Sequence, residues 1–243
     1  MYKRGWIFQG WGIRAILAGQ KTMTRRIQGL EYINKEPDNW ELISPETIPY
    51  VMGATFRSKQ DASIVNMKCP YQVGDILWLR ETFCYAKPFG YDARDDGGEI
   101  WYRSTDQNVC EGPWKPSIFM PQRASRIDVE ITGIKAPERV QSIPEDDAIR
   151  EGFEPDAKEI WWQGYREMDY KNGQTDLVHQ EYIGDEPPSW MIEPHKMLDK
   201  PWPRFSAKLK FENKWIEIHG PGAWRRNDWV WPYEFSLITL IGG

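Results

Sequence analysis

In "WGIRAILAG", Ile13, Ile16 and Leu17 recur at helical spacing, and Gly19 stands where a helix would stop. A short amphipathic helix is predicted there. Periodicity then lapses from 28 to about 68, where Pro37, Pro45, Pro49, Asn34 and Gly53 collect. This reads as an irregular insertion, and loops of that length tend to be functional or mobile. Order returns at "YQVGDILWLRETF": Gly74-Asp75 makes a turn, and a strand rich in β-formers runs from Ile76 to Phe83. "GGEIWYRS" predicts another strand after a Gly-Gly turn.

Strict alternation marks "SRIDVEITGIKAPERV", with Ile127, Val129 and Ile131 on one face and Asp128, Glu130 and Thr132 on the other, a half-buried strand. "SIPEDDAIREGF" then opens a helix. Ser142 suits the N-cap and Pro144 the first turn, while Glu145, Asp146 and Asp147 favour the positive end of the helix dipole. Gly152 would end it. A second irregular insertion, about 154 to 203, carries Trp161, Trp162, "DEPPSW" and "DKPWPR" and could form a lid. "RFSAKLKFENKWIEIHG" reads as a helix with Phe205, Leu209, Trp215 and Ile216 near one face. "DWVWPYEFSLITLIG" is a final strand whose Pro232 points to a sheet edge or bulge. Short strands interleaved with helices predict an α+β chain around a small barrel or strongly bent sheet. One elaborated domain over 1–243, with the two insertions, fits better than two.

Charge narrows the function classes. Lys and Arg total 31 against 36 Asp and Glu, a formal charge of −5. Proteins that hold long nucleic acids generally carry a basic surface, so a small-molecule substrate is favoured over nucleic acid. Cys69, Cys84 and Cys110 are far apart, and His179, His195 and His219 lack ligand spacing, so no metal and no other cofactor is expected. Unpaired thiols in a reducing compartment are expected. No run approaches the roughly 18 uninterrupted apolar residues of a membrane span, and "MYKRGWIFQGWG" lacks the apolar core of a signal peptide. The expectation is a cytoplasmic protein with no membrane partner. The 14 Trp are mainly core material; a minority could stack on a planar ligand such as a nucleobase.

The candidate chemistry lies in "ILAGQKTMTRR". It reads as a basic hairpin touching phosphate, as a solvated strand, or as a site where Lys21 activates Thr24. A threonine hydroxyl is a poor nucleophile until a base takes its proton. A lysine can be that base once burial or nearby cations such as Arg25 and Arg26 disfavour its charged form. A carboxylate would orient the amine or pass a proton to the leaving group. In a regular strand, however, positions 21 and 24 face opposite ways. The pairing therefore needs irregular backbone after Gly19, or the helix running on past it.

"GQKTMTRR" resembles the Gly-x-Lys-x-x-Glu/Thr-x-Arg signature of the ASCH family, with Gly19, Lys21, Thr24 and Arg26 on its positions. Threonine at 24 is similar to the branch that includes the bacterial N4-acetylcytidine amidohydrolases. "DVEITG" and "IPEDDAIREGF" look like the strand and helix that carry that branch's glutamate, at Glu151 here. "GDILWLRETF", "KPSIFMP", "ASRI" and "HGPGAW…VWPYEF" resemble the larger ASCH proteins of phage and prophage type. The resemblance covers blocks through most of the chain but neither insertion.

It implies a PUA-like β-barrel and a metal-free amidohydrolase that removes the acyl group from N4-acylated cytosine or cytidine. Lys21, Thr24 and Glu151 would be catalytic. Arg26, Glu81, Trp78 and Arg80 would surround the substrate, with Arg26 holding a carbonyl or ribose oxygen or pairing with Glu81. The rival classes are an RNA-binding module using Arg25, Arg26, Arg123 and stacked Trp, and a ribonuclease using the same lysine and threonine at phosphate.

Overall fold

The computed structural model describes residues 4–48, 51–85, 100–106, 113–155, 161–169, 175–183, 189, 192–197 and 206–240. It shows a mixed α+β chain with few helices and a sheet curled into a half-barrel. The chain divides into two compact units, Met1–Glu154 with Ala207–Gly243, and Pro155–Ser206.

The first unit opens with β1 (Arg4–Ile7), α1 (Gly10–Leu17) and β2 (Met23–Arg26). The stretch expected to be irregular is instead ordered. After two 3-10 turns, β3 (Trp40–Ile48), β4 (Val51–Ser58) and β5 (Ile64–Lys68) form an antiparallel meander. Ala54 and Phe56 alternate into the main core between half-buried Thr55 and exposed Arg57. That two-residue rhythm is too brief to stand out among the flanking prolines.

Next come β6 (Ile76–Arg80), β7 (Phe83–Tyr85) and β8 (Ile100–Tyr102). The single strand expected over 76–83 is thus two. The backbone N–H of Glu81 leaves the ladder for the sulfur of Met120, and β7 pairs with β8 in a separate ribbon. Then follow β9 (Ile127–Ile134), β10 (Glu138–Arg139) and α2 (Glu145–Arg150). α2 starts later than Ser142, which lies in a 3-10 turn; Pro144 occupies the N-cap position.

The second unit, on the expected second insertion, is a three-stranded antiparallel sheet of β11 (Trp161–Asp169), β12 (Thr175–Ile183) and β13 (Ile192–Met197). Back in the first unit lie α3 (Ala207–His219), α4 (Ala223–Arg226) and β14 (Trp229–Leu240). α3 buries Ala207, Phe211 and Trp215, a strict four-residue stripe. Leu209 and Ile216, expected on the buried face, are only half-buried, and Phe205 lies outside the described residues.

β14 organises the main sheet. It pairs antiparallel with β9 and with β2, and its first residues pair with β10; β6 joins β9, and β1 runs parallel to β6. Pro232 is therefore interior, not at an edge. It sits where β14 has left β10 and not yet met β9, and its carbonyl accepts the N–H of Lys135 at 3.0 Å. The bulge comes two residues on, between Glu234 and Phe235.

Leu77, Val129, Ile131, Trp6 and Tyr233 fill one core; Val140, Ala148, Phe153, Phe211 and Trp215 fill a second between α2, α3 and β14. Cys69 is a free buried thiol, but Cys84 is disulfide-bonded, which corrects the expectation of unpaired thiols. Cys110 lies outside the described residues. Among the described residues, no helix is long and apolar enough to cross a membrane.

Candidate active site

Two glycine-terminated helix ends meet to make the site. α1 closes in a Schellman motif: Gly19, at φ +73°, donates to Ile16 and Gln20 donates to Ala15. α2 closes the same way, with Gly152 at φ +94° donating to Ile149 and Phe153 to Ala148. Each αL position suits glycine because a Cβ would collide with the following carbonyl.

The chain leaves α1 with the Lys21 N–H also on the carbonyl of Ala15, at 3.0 Å. Lys21 then makes an isolated antiparallel bridge to Glu151, and Thr22 donates to the carbonyl of Arg150 at 2.8 Å. Only at Met23 does β2 begin. The irregular backbone that the spacing of Lys21 and Thr24 required is present, and both side chains line one cavity.

That cavity measures about 410 Å³, within the usual range for small-ligand sites. Its polar side chains are Gln9, Lys21, Thr24, Arg25, Arg26, Gln28, Glu151, Lys214 and His219; Phe8, Trp11, Phe153, Phe211 and Trp215 provide aromatic walls. α3 brings the last two because Glu145 of α2 accepts the N–H groups of Ala207 and Lys208, at 2.6 and 3.1 Å, capping its start. A second depression, near Asp38 and Lys59, has no comparable gathering of reactive groups.

Lys21 Nζ donates to Glu151 Oε2 at 2.6 Å and to the Glu151 carbonyl at 2.8 Å, and both residues are buried. Burial pulls the Lys21 pKa below its ordinary value; Glu151 opposes that pull, while Arg26 and Arg25 add to it. Arg25 fixes the other side of the acid. Its Nη1 reaches Glu151 Oε1 at 3.3 Å, its Nη2 reaches Asp147 Oδ2 at 2.7 Å, and its Nε reaches Glu138 Oε1 at 2.7 Å. Burial works against the Arg25 charge, but Glu151, Glu138 and Asp147 outweigh it and its pKa rises. Asp147 also accepts Lys135 at 2.8 Å.

The Thr24 hydroxyl makes no hydrogen bond to a described residue, and none joins it to Lys21. Among the described residues it is without a partner, and the residue lines the cavity. Arg26 follows on the same face of β2, its guanidinium 4.7 Å from the Phe8 ring and 5.2 Å from that of Trp6.

Three residues expected around the substrate are not brought here. Glu81 is buried against Arg126, at 3.0 Å, and accepts the Ser104 hydroxyl. Arg80 donates to the carbonyls of Ser117 and Ile118 and lies over the ring of half-buried Trp78. None of the three lines the cavity. The parallel β1–β6 pairing sets Trp78 opposite Gly5 and Arg80 opposite Ile7, and the N–H of Phe8 bonds the Arg80 carbonyl. Arg26 accordingly pairs with no Glu81.

The Asp147 and Glu138 supports of Arg25 were not anticipated. One signal was available: Asp147 and Glu151 are four apart, hence on one helical face. The walls from α3 had no local signal. Among the described residues, no three His, Cys, Asp or Glu side chains gather as metal ligands.

The fold and cavity define an α+β protein with a buried lysine–glutamate pair beside a free threonine. In comparison with known proteins, no family model, no curated protein and no solved structure matches the chain.

Proposed function

We propose that the chain is an ASCH-type, PUA-like amidohydrolase that removes the acyl group from N4-acylated cytosine or cytidine. The observation that carries this reading is the buried Lys21–Glu151 pair opening, with Thr24, onto an aromatic-walled cavity. The "GQKTMTRR" signature supplies the reaction type, and burial of Lys21 supplies a reason for its amine to act as a base.

In the resting arrangement the Lys21 proton faces Glu151. Its transfer to that carboxylate frees the amine, which turns to Thr24 and accepts the hydroxyl proton as Oγ1 attacks the acyl carbonyl. The C–N bond breaks as the cytosine amino group takes a proton back from Lys21 or Glu151. Lys21, neutral again once its proton has gone to the amino group or to Glu151, takes a proton from water, whose oxygen attacks the acyl-threonine; that proton returns to Oγ1 as the ester bond breaks and the carboxylic acid leaves. In a variant of this scheme, Thr24 orients a water that attacks directly. The aromatic walls provide faces for a flat base.

The test is incubation with a panel of N4-acylated cytosines and cytidines, following loss of the acylated chromophore. Turnover by the native chain, abolished in Lys21→Ser and Thr24→Ala with the fold retained, supports the reading. Salt-sensitive binding of an oligonucleotide without turnover would replace it with the RNA-binding class, and cleavage of single-stranded RNA would replace it with the ribonuclease.

A further inference from the structure

We infer that the cavity receives a ligand bearing an anionic oxygen group, a carboxylate or a phosphate, and that Arg26 is the residue that binds it. The inference rests on the reading of this cavity as a substrate site and deepens it by naming the substrate's charge.

The cations on the cavity wall differ in their partners. Lys21 is matched by Glu151, Arg25 by Asp147 and Glu138 as well as Glu151, and Lys214 by Glu217 at 2.5 Å. Arg26 has no carboxylate within ion-pair distance among the described residues. Glu151, a carboxylate whose field reaches it, is already held by two other cations.

The donors of Arg26 are incompletely used. Nη2 bonds the Ile7 carbonyl at 3.0 Å, and Nε is buried without a partner. Nη1 has no partner among the described residues, and Arg26 lines the cavity. This half-buried guanidinium gives up part of its hydration without a carboxylate partner among the described residues, and an incoming oxyanion would supply charge-assisted hydrogen bonds. Burial accordingly lowers the Arg26 pKa, where for Arg25 the surrounding carboxylates raise it.

Its position is also prepared. Phe8 and Trp6 lie against the guanidinium, and the pairing of Arg26 with Trp231 in the sheet holds the backbone beneath it. A flat ligand against the aromatic walls, with its reacting carbonyl near Thr24, would reach Arg26 from the same face of β2. The anionic group could be a nucleotide phosphate or a carboxylate carried on the acyl group.

Calorimetric titration of the non-hydrolysing Thr24→Ala chain tests this with matched probes. One arm compares N4-acetylcytidine with its 5′-monophosphate, a second compares it with N4-succinylcytidine, and a third uses benzoate against benzamide. In at least one arm the anion should bind about tenfold or more tighter than its neutral partner, the scale of a hydrogen bond to a charged group. Adding Arg26→Gln should collapse that preference to within about twofold, and Arg26→Lys should keep part of it. Equal affinities for anion and neutral partner, no binding by any anion, or a preference undiminished in both Arg26 variants would overturn the inference. Failure of the amidase reading is separately visible: the chain with Thr24 intact would leave every acylated nucleoside unchanged while the charge preference remained.

Discussion

The side chain of Lys21 is held by Glu151 twice over, through the carboxylate at 2.6 Å and through the main-chain carbonyl of the same residue at 2.8 Å. The amine is thus tied to the end of α2 and not only to its acid. Removing one partner of a buried ion pair leaves a desolvated charge behind. Lys21→Met should therefore lower unfolding stability by about 3–5 kcal/mol, towards the lower end because Arg25 still reaches Glu151. Thr24→Val removes only a hydroxyl without a partner among the described residues and should change stability by less than about 1 kcal/mol. Both variants should lose the proposed hydrolysis. Urea unfolding beside an acyl-cytidine assay checks the contrast; equal stability losses would contradict it.

Gly152 touches the other side of Lys21. A Cβ there would stand 3.0 Å from that of Ala15 and 3.1 Å from that of Lys21, on a backbone at φ +94°. The left-handed conformation alone costs an L-residue about 1–2 kcal/mol. Gly152→Ala should fall at least that far in stability and reduce turnover by displacing Lys21. Gly19→Ala, where nothing lies within 4 Å, should show only the backbone cost. Thermal melts of the two variants separate the effects.

Arg25 joins three carboxylates that would otherwise repel one another. Arg25→Met should be more destabilising than Lys21→Met, by about 3–5 kcal/mol or more from the native chain, because Glu138, Asp147 and Glu151 all lose their shared cation. Arg25→Lys keeps the charge but not the fork and should fall in between. Urea midpoints of the three chains give the order.

Acid acts through Asp147. Burial raises its pKa, but Lys135 and Arg25 more than reverse that and hold it below the ordinary 3.8. A group whose folded pKa is depressed stabilises above its unfolded value and loses that contribution as pH falls through the folded one. Stability should decline below about pH 4, and in Asp147→Asn the decline should be shallower. A pH series of urea midpoints measures it.

In the proposed mechanism the neutral Lys21 amine acts as the base, so turnover should rise with pH through the ionisation of Lys21. Burial lowers that pKa, so the rising limb should lie below 10.5. A rate profile flat across that range would remove Lys21 from the role.

Much of this protein could be read locally. Helical spacing and terminal glycines marked α1 and α2 because a Schellman end depends on a few neighbouring residues. Alternation marked β9 because one of its faces is buried. Lys21, Thr24 and Glu151 were legible as candidates through their spacing and the ASCH-like signature. Glu81, Trp78 and Arg80 were misplaced because a strand's sequence does not say which neighbour it will pair with. The first insertion hid its meander because its alternation was short and interrupted by proline.

Residue order alone determined where helices stop, and it set the break in regular backbone needed between Lys21 and Thr24. Tertiary structure decided that Lys21 would meet an acid 130 positions away, that Arg25 would be neutralised and Arg26 left open, and that α3 would wall the cavity. The division follows from range: capping and periodicity act over a few residues, whereas burial and charge pairing depend on which distant surfaces the folded chain brings together.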